Sequence, residues 1–483
     1  VTAGRGATAP ASAVAASVLM LVLMLVLMLA AGCDSVPLGR KPAIEVPPAW
    51  KIEAPWREGK PLDAAAKGPW WQRFNDPLLS RLETQALDGS PTLAAAGARL
   101  AQSRALVAAA NAGRYPQIGV GTRAVRQRIS ANRPLSAYNS TNFATVQNDF
   151  TAAFAVSYEV DLSGRVQQVL EGSLAAADQS AADLENTRLL LTADLAANYF
   201  NLRSLDIELD VVQQAIVLQR RALDFVSARH DLGAASGLEV AQQQALLDNT
   251  LTQVDVLKRQ RAQYEHALAT LVGTPAPLFS IAPALQPVVL PEVPLGVPSD
   301  MLERRPDVAS AERAMAVANA QIGVANAAFY PSITLGPTLG VESRSLSSLF
   351  DAPSQVWSLG ASVAQVLFDG GRLKANAEFA RAGHDVAAAN YRRVVLTAMQ
   401  EVEDGITSVA ALQRATRQAD TAVASARRVL DLATGRYEGG ASTYLDVITA
   451  QQALLGSERQ ATQLQGQSQL ASVFLIKALG GDW

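Results

Sequence analysis

Few residues in this 483-residue chain are of types that do covalent or metal chemistry. Cys33 is the only thiol, so neither an intramolecular disulfide nor a cysteine metal cluster can form. His230, His266 and His384 lie far apart, match no ligand spacing and read as ordinary helix-surface residues. Gly370–Gly371 and Gly439–Gly440 lack the spacing of a phosphate-cradling loop, and no paired histidine and carboxylate signature accompanies them. The pattern points away from an enzyme and calls for no cofactor and no metal. The 41 Lys and Arg nearly balance the 44 Asp and Glu, so there is no global basic field for nucleic acid. Two features remain: a single thiol open to acylation, and two glycine-bearing turns at 229–240 and 436–447.

The thiol sits at an informative place. Residues 13–31, AVAASVLMLVLMLVLMLAA, are almost wholly apolar, follow Arg5 and lead into LAAGC, Leu29 to Cys33. A stretch of that length could also stay as an anchor helix. The ending, with small residues just before the cysteine, resembles the bacterial lipobox instead, in which the thiol receives diacylglycerol before cleavage. Residues 1–32 then form a lipoprotein signal peptide and Cys33 opens the mature chain, held to lipid by roughly 0.8 kcal/mol per buried acyl methylene. Asp34 resembles the enteric signal for retention in the inner membrane, which stands against an outer-membrane destination. Residues 34–66 are rich in Pro and Lys without periodicity, and 33–75 reads as an extended N-terminal strap.

The elements that must position the turns repeat within the chain. LAAAGARLAQSRALVAAANAGRYPQIGVG (93–121) aligns without gaps with VASAERAMAVANAQIGVANAAFYPSITLG (308–336), sharing Asn111/Asn326, Tyr115/Tyr330, Pro116/Pro331 and Gly121/Gly336 among others. DLSGRV (161–166) matches FDGGRL (368–373), and RHDLGAASGLEV (229–240) matches RYEGGASTYLDV (436–447). The chain therefore divides into a first structural repeat, 76–290, and a second, 291–483 with a linker and a C-terminal segment. A pseudo-symmetric protomer of this kind tiles into a closed ring.

After each Tyr-Pro the hydrophobic period falls to two. Phe150, Ala152, Phe154, Val156, Tyr158 and Val160 share one face; so do Ile333, Leu335, Pro337, Leu339 and Val341; so do Trp357, Leu359, Ala361, Val363 and Leu367. With 118–127 these make four strands of about ten residues, the length of a tilted membrane-crossing strand. A soluble sheet with one buried face would alternate in the same way. Four strands do not close a usable barrel and open edges are not tolerated in lipid, so twelve strands from three chains is the geometric solution. From Val166 to about Leu232 no proline occurs, and two rows recur every seven residues. One holds Leu174, Ala181, Leu195, Leu202, Leu209, Ile216 and Leu223, broken once by Arg188. The other holds Leu170, Ala177, Leu184, Leu191, Leu205, Val212 and Val226. Two such rows predict a supercoiled helix with two neighbours, about 100 Å long at 1.5 Å per residue. A second long helix is expected from about Arg372 to Tyr437, with shorter helices over 91–113, 238–272, 306–328 and 445–479. A soluble coiled-coil scaffold would explain the heptads but neither the strands nor Cys33.

WWQRFNDPLLSRL (70–82), LPEVPLGVPSDMLERRPDVASAE (290–312) with its Arg-Arg-Pro-Asp run at 304–307, AAFYPSITL (327–335), LFDGGR (367–372) and the ending LGGDW (479–483) occur in that order. With them the chain, from about residue 29 to its end, resembles the outer membrane factor family of efflux proteins, the TolC-like group and its NodT-type lipoprotein branch. The resemblance implies a mainly α fold with transmembrane β: a homotrimer whose twelve-stranded barrel sits in the outer membrane on a long coiled-coil periplasmic tunnel. Its implied partners are a periplasmic adaptor (membrane fusion) protein and an inner-membrane pump of the resistance-nodulation-division type. It further implies that Arg229, Gly233, Arg436 and Gly440 form adaptor-docking tips, and that Tyr437 and Asp446 belong to a periplasmic gate. Thr449 stands where the family often has a second acid, and Gln452 where one branch has a basic residue. The plainer reading gives the glycines to left-handed helix ends and Asp446 to the first turn of a helix. The same fold could serve protein export with an ATP-driven exporter, and a pore-free lipoprotein scaffold is the third alternative.

Overall fold

The computed structural model describes residues 68–130, 145–286, 290–291 and 304–481. The apolar stretch 13–31, Cys33, Asp34, the strap up to residue 67 and Trp483 lie outside the described residues. The helices are α1 (Pro77–Gly89), α2 (Pro91–Ala112), α3 (Arg165–Asp231), α4 (Gly237–Leu271), α5 (Pro306–Ala327), α6 (Arg372–Glu438) and α7 (Tyr444–Ala478). The strands are β1 (Gln117–Ile129), β2 (Thr145–Val160), β3 (Ser332–Leu335), β4 (Thr338–Ser343), β5 (Gln355–Ser358) and β6 (Ala361–Ala364). The sequence repeat is reproduced to the residue in helix length: 22 residues in α2 and α5, 67 in α3 and α6, 35 in α4 and α7. Among the described residues no helix is long and apolar enough to cross a membrane.

The boundaries have local causes. Pro116 and Pro331 cannot continue a helix, and the chain leaves α2 and α5 by Tyr115 N–H donating to Ala112 O and Tyr330 N–H to Ala327 O, both 3.1 Å. Each long helix starts under an aspartate. Asp161 accepts from Gln167 N–H, and Asp369 from Leu373 N–H, both at 2.8 Å.

The described residues fall into two compact units, and each draws on both sequence repeats. The first gathers segments between 106 and 175 and between 315 and 386 and holds the sheet. β1 pairs antiparallel with β2; β2 pairs on its other side with both β3 and β4; these pair with β6 and β5 respectively. The expected third and fourth strands are thus each interrupted. Pro337 has no N–H to give to a ladder, and the chain between β3 and β4 is held by Gly336 N–H donating to Gly360 O and Val156 N–H donating to Pro337 O, both 2.9 Å. The register nevertheless continues across the gap: Phe150↔Ser343 and Tyr158↔Leu335 belong to one alignment. The fourth strand ends at Ala364, short of the expected Leu367, whereas β1 and β2 extend beyond the expected 118–127 and 150–160.

One face of this sheet is apolar in a straight row. Val120 faces Phe154, Phe154 faces Leu339, and Leu339 faces Trp357. Their exposures are 69, 58, 64 and 78%, far beyond what a buried sheet face permits. The opposite residues are small or polar: Gly121, Thr151, Ala153, Ala155, Ser157, Thr338 and Gly340.

The second unit holds the helical core. Trp70, Trp71 and Phe74 pack with Leu79, Leu82, Tyr199, Phe200, Val402 and Leu475 in one buried cluster. Tyr199 and Phe200, outside the predicted rows, are its largest fully buried side chains. Along α3, Leu191, Leu195, Leu202, Leu205, Leu209, Val212, Ile216 and Val226 are buried as the heptads predict, whereas Leu174 is exposed and Ala177, Ala181 and Leu184 are half-buried. Leu170 is buried as well, so the cover of the seam is thin only between residues 171 and 190 and is dense from residue 191 on.

Two ionic clusters fasten irregular chain to this core. Asp206, fully buried at its side chain, pairs with Arg203 at 3.0 Å and Arg261 at 2.6 Å. The same arginines donate to Ala282 O at 2.9 Å and Ile281 O at 2.6 Å. Arg305 pairs with Asp307 and Glu401, both at 2.7 Å, and donates to Ala478 O at the end of α7 at 2.9 Å. The Arg-Arg-Pro-Asp run is thus the clamp on the last helix. Asp206→Ala would strand two largely buried guanidinium groups; it should lower unfolding stability by about 3–5 kcal/mol, seen as an early thermal transition by circular dichroism.

Candidate functional site

The two turns lie in the second unit and are built alike. α3 ends with Gly233 at φ +73° and α6 with Gly440 at φ +72°. In the first, Gly233 N–H donates to His230 O and Ala234 N–H to Arg229 O, both 2.8 Å; in the second, Gly440 N–H donates to Tyr437 O at 3.0 Å and Ala441 N–H to Arg436 O at 2.8 Å. Both are Schellman ends, which place the sixth residue's N–H on the first residue's carbonyl and need a left-handed residue between. The local reading of the two glycines is therefore correct. It leaves room for another role, because a Cβ built at Gly233 or Gly440 meets nothing within 4 Å.

The returning helices start differently. Ser236 caps α4 in a reciprocal box: Glu239 N–H donates to Ser236 Oγ at 3.4 Å, and Ser236 N–H to Glu239 Oε2 at 3.2 Å. At α7 the cap residue Thr443 makes no side-chain bond to backbone, and its hydroxyl lies 3.5 Å from Asp446 Oδ2.

Tyr437 ties the two turns together. Its hydroxyl donates to Glu239 Oε2 at 3.2 Å. The Arg229 guanidinium lies 4.9 Å from its ring centroid, within cation–π range. Its ring meets that of Tyr444 at 5.0 Å and 59°. Tyr444 donates to Gln243 Oε1 at 2.9 Å, and Gln243 donates on to Gln219 O at 3.0 Å and to Gln451 Oε1 at 3.4 Å. Val226, Leu246, Leu430, Val447 and Ile448 complete a buried cluster here. Burial, then the Glu239 charge, pushes the Tyr437 phenol up; burial, then Tyr437 and Glu239, pushes Tyr444 up further.

Of the residues named from sequence, the structure brings Arg229 and Tyr437 into contact, while Gly233, Arg436, Gly440 and Asp446 stay exposed at the same end of the hairpins. Arg436 donates to Ala441 O at 3.3 Å within its own turn. Thr449 bonds back to Leu445 O at 2.8 Å, and Gln452 is exposed. Sequence reasoning missed Glu239, Tyr444 and Gln243. The alignment of 229–240 with 436–447 carried the signal for Glu239, because it sets that residue opposite Asp446.

A family model for outer membrane efflux proteins matches residues 82–274 and 297–481. The chain belongs to that family. It is 32% identical over 456 residues to the pyoverdine export outer membrane protein OpmQ of Pseudomonas aeruginosa, covering 94% of this chain and 95% of the relative. To the toluene efflux pump outer membrane protein TtgF of Pseudomonas putida it is 30% identical over 463 residues, covering 94% and 95%. The solved outer-membrane channel OprN superposes with a TM-score of 0.83 at 27% identity over 92% of this chain and 99% of that one. The fold is that of the TolC-like outer-membrane channels, and the protein is one of the outer membrane.

The tip cluster makes a pH prediction. Both phenols have raised values in the folded protein, so they contribute stability below the free-tyrosine value, near pH 10, that is lost as pH rises past it. The midpoint of thermal unfolding should fall above pH 10, and fall less in Tyr444→Phe. At neutral pH Tyr437→Phe should cost about 0.5–1.5 kcal/mol, the worth of one hydrogen bond.

Proposed function

We propose that this chain is the exit duct of a tripartite efflux system: three copies close a barrel in the outer membrane over a helical conduit, and solutes pass without chemical change. The observation that supports it most is the Val120–Phe154–Leu339–Trp357 row, apolar and exposed across every ribbon of the sheet, with small and polar residues behind it. That is the inside-out pattern of a barrel in lipid with water within. β1 at one edge and β5 with β6 at the other keep unpaired backbone groups that only further strands can satisfy in a membrane. Relatives whose names record pyoverdine export and toluene efflux support small solutes as cargo.

Cys33 supplies the acyl anchor in this reading. The exposed tips dock a periplasmic adaptor that joins the duct to an inner-membrane pump of the resistance-nodulation-division type. Gly233 and Gly440, with open space around them, let the partner's backbone approach closely, beside Arg229 and Arg436. Three copies of exposed Asp446 about an axis give a ring of negative charge that favours cations and defines the gate with Tyr437.

The test is drug sensitivity of a deletion strain complemented with variants. Gly440→Trp should trimerise yet lose efflux, because the added ring occupies the adaptor's space. Gly440→Ala carries the same positive φ, at about 1–2 kcal/mol, without the bulk, and should retain efflux; equal loss in both would reduce Gly440 to a helix end. Cys33→Ala should lose incorporation of labelled palmitate. Purified trimers that conduct no ions across planar bilayers would remove the duct altogether.

A further inference from the structure

The two tips are sequence copies, yet within one protomer they are used unequally. Aligning 229–240 with 436–447 sets Arg229 on Arg436, His230 on Tyr437, Gly233 on Gly440, Gly237 on Tyr444 and Glu239 on Asp446. The structure shows one half of a reciprocal arrangement. The next-to-last residue of the second long helix, Tyr437, reaches the third residue of the first short helix, Glu239. The counterparts of these two, His230 and Asp446, are both exposed and do not meet in the chain.

A ring of alternating first and second hairpins resolves the inequality. In such a ring each hairpin relates to the next as its predecessor related to it. Hairpin one meets hairpin two within a protomer through Glu239 and Tyr437. Hairpin two must then meet hairpin one of the adjacent protomer through the matching positions. We propose that His230 of each protomer faces Asp446 of the neighbouring copy, and that this pair marks the seam between protomers at the tunnel's tip. The inference rests on the trimeric duct proposed above.

The side chains suit that role. His230 Nδ1 faces the carbonyl oxygen of Ala235 at 3.0 Å and must carry a proton to bond it. That leaves Nε2 to turn toward the neighbour's carboxylate. Among the described residues Asp446 pairs with no cation, and its carboxylate meets the Thr443 hydroxyl at 3.5 Å. Arg436 takes the place that Arg229 holds over Tyr437. The charged groups near the imidazole are then Arg229, Asp231 and Glu239 of its own hairpin, and Arg436, Glu438 and Asp446 of the neighbour. The seams also differ in strength. Within the protomer two tyrosine rings are buried against each other. Between protomers their places fall to His230 and Gly237, an imidazole and a residue with no side chain, which offer less apolar area than two tyrosine rings. Histidine and aspartate are also shorter than tyrosine and glutamate, so they meet across a wider gap or through a water. The joint between copies is therefore the one that parts first when the tip opens.

The experiment uses the full-length purified protein with cysteines at His230→Cys and Asp446→Cys, treated with a short bifunctional maleimide. The wild-type chain controls for Cys33. We expect covalent dimers and trimers on denaturing gels, with loss of the monomer band, and neither single variant should give them. Tyr437→Cys with Glu239→Cys should stay monomeric in mass because its link closes within one chain. Trimers by native size that yield only monomers from the His230/Asp446 pair would overturn the proposal, as would interchain bands from the Tyr437/Glu239 pair instead. A wild-type chain that never trimerises would overturn the duct reading as well, and native size shows that separately. In a second arm, Asp446→Lys should lower the temperature at which trimers dissociate in detergent, and adding His230→Asp should restore it. No restoration would count against the contact.

Discussion

An α-helix of 67 residues in a protein draws most of its stability from the packing of its apolar face rather than from propensity. α3 and α6 each have that length, and everything near them serves to cover them. The dense part of the cover is the cluster around Tyr199 and Phe200, where the Trp70–Phe74 segment and α1 lie against α3, α4, α6 and α7. Asp76 illustrates how closely the parts are coupled. It caps α1 through Leu78 and Leu79 N–H at 2.9 and 3.0 Å, and it also accepts the Tyr199 hydroxyl at 2.5 Å. Burial and that carboxylate hold the phenol well above its ordinary value, while Arg203 pulls the other way. A helix start, a core ring and the Asp206 ion cluster thus form one connected network.

Three of the sequence motifs that suggested a family, at 70–82, 304–307 and 479–483, turn out to be the fastenings of this core. Trp70, Trp71 and Phe74 are buried in it, and Arg305 holds the end of α7 through Ala478 O. Gly480 and Gly481 follow with φ of +93° and +95°, where a side chain would be strained, and a Cβ on Gly480 would press against Arg304 at 3.3 Å. Such motifs persist in a fold because few residues meet the local geometry. They report architecture more directly than activity.

What the sequence revealed, and what it concealed, follows from the range of the forces involved. Helix length, the Tyr-Pro exits and the glycine turns are set within a few residues, and all were legible. The seven-residue rows showed which face of α3 is apolar but not where its cover thins, since Leu170, Leu174 and Leu195 look alike in sequence and differ in burial. The breaks at Gly336–Pro337 and near Gly360 were invisible to a period-two reading, because the alternation of faces continues through them. Tyr437 was named but its partner was not. Glu239 reads as the end of a capping box, and only the fold brings a second donor to the same carboxylate oxygen.

That double use of Glu239 distinguishes the two tips. A carboxylate that completes a helix cap is held in one place, so it can also receive a hydroxyl from outside at little further entropic cost. Asp446 is one methylene shorter, and Thr443 makes no side-chain bond to the helix's free N–H groups. Its carboxylate remains at the surface, beside Leu445, which is also exposed. The internal repeat gives the chain two turns with like backbone ends, and in the proposed ring identical side chains would make every seam equally strong. In the proposed ring, a tip that both holds and parts is served by unequal seams. His230, Gly237 and Asp446 stand where the other turn has Tyr437, Tyr444 and Glu239, while the Schellman ends at Gly233 and Gly440 are alike. Rigidity is thereby kept in the hairpins, and the difference is confined to the side chains that face across them.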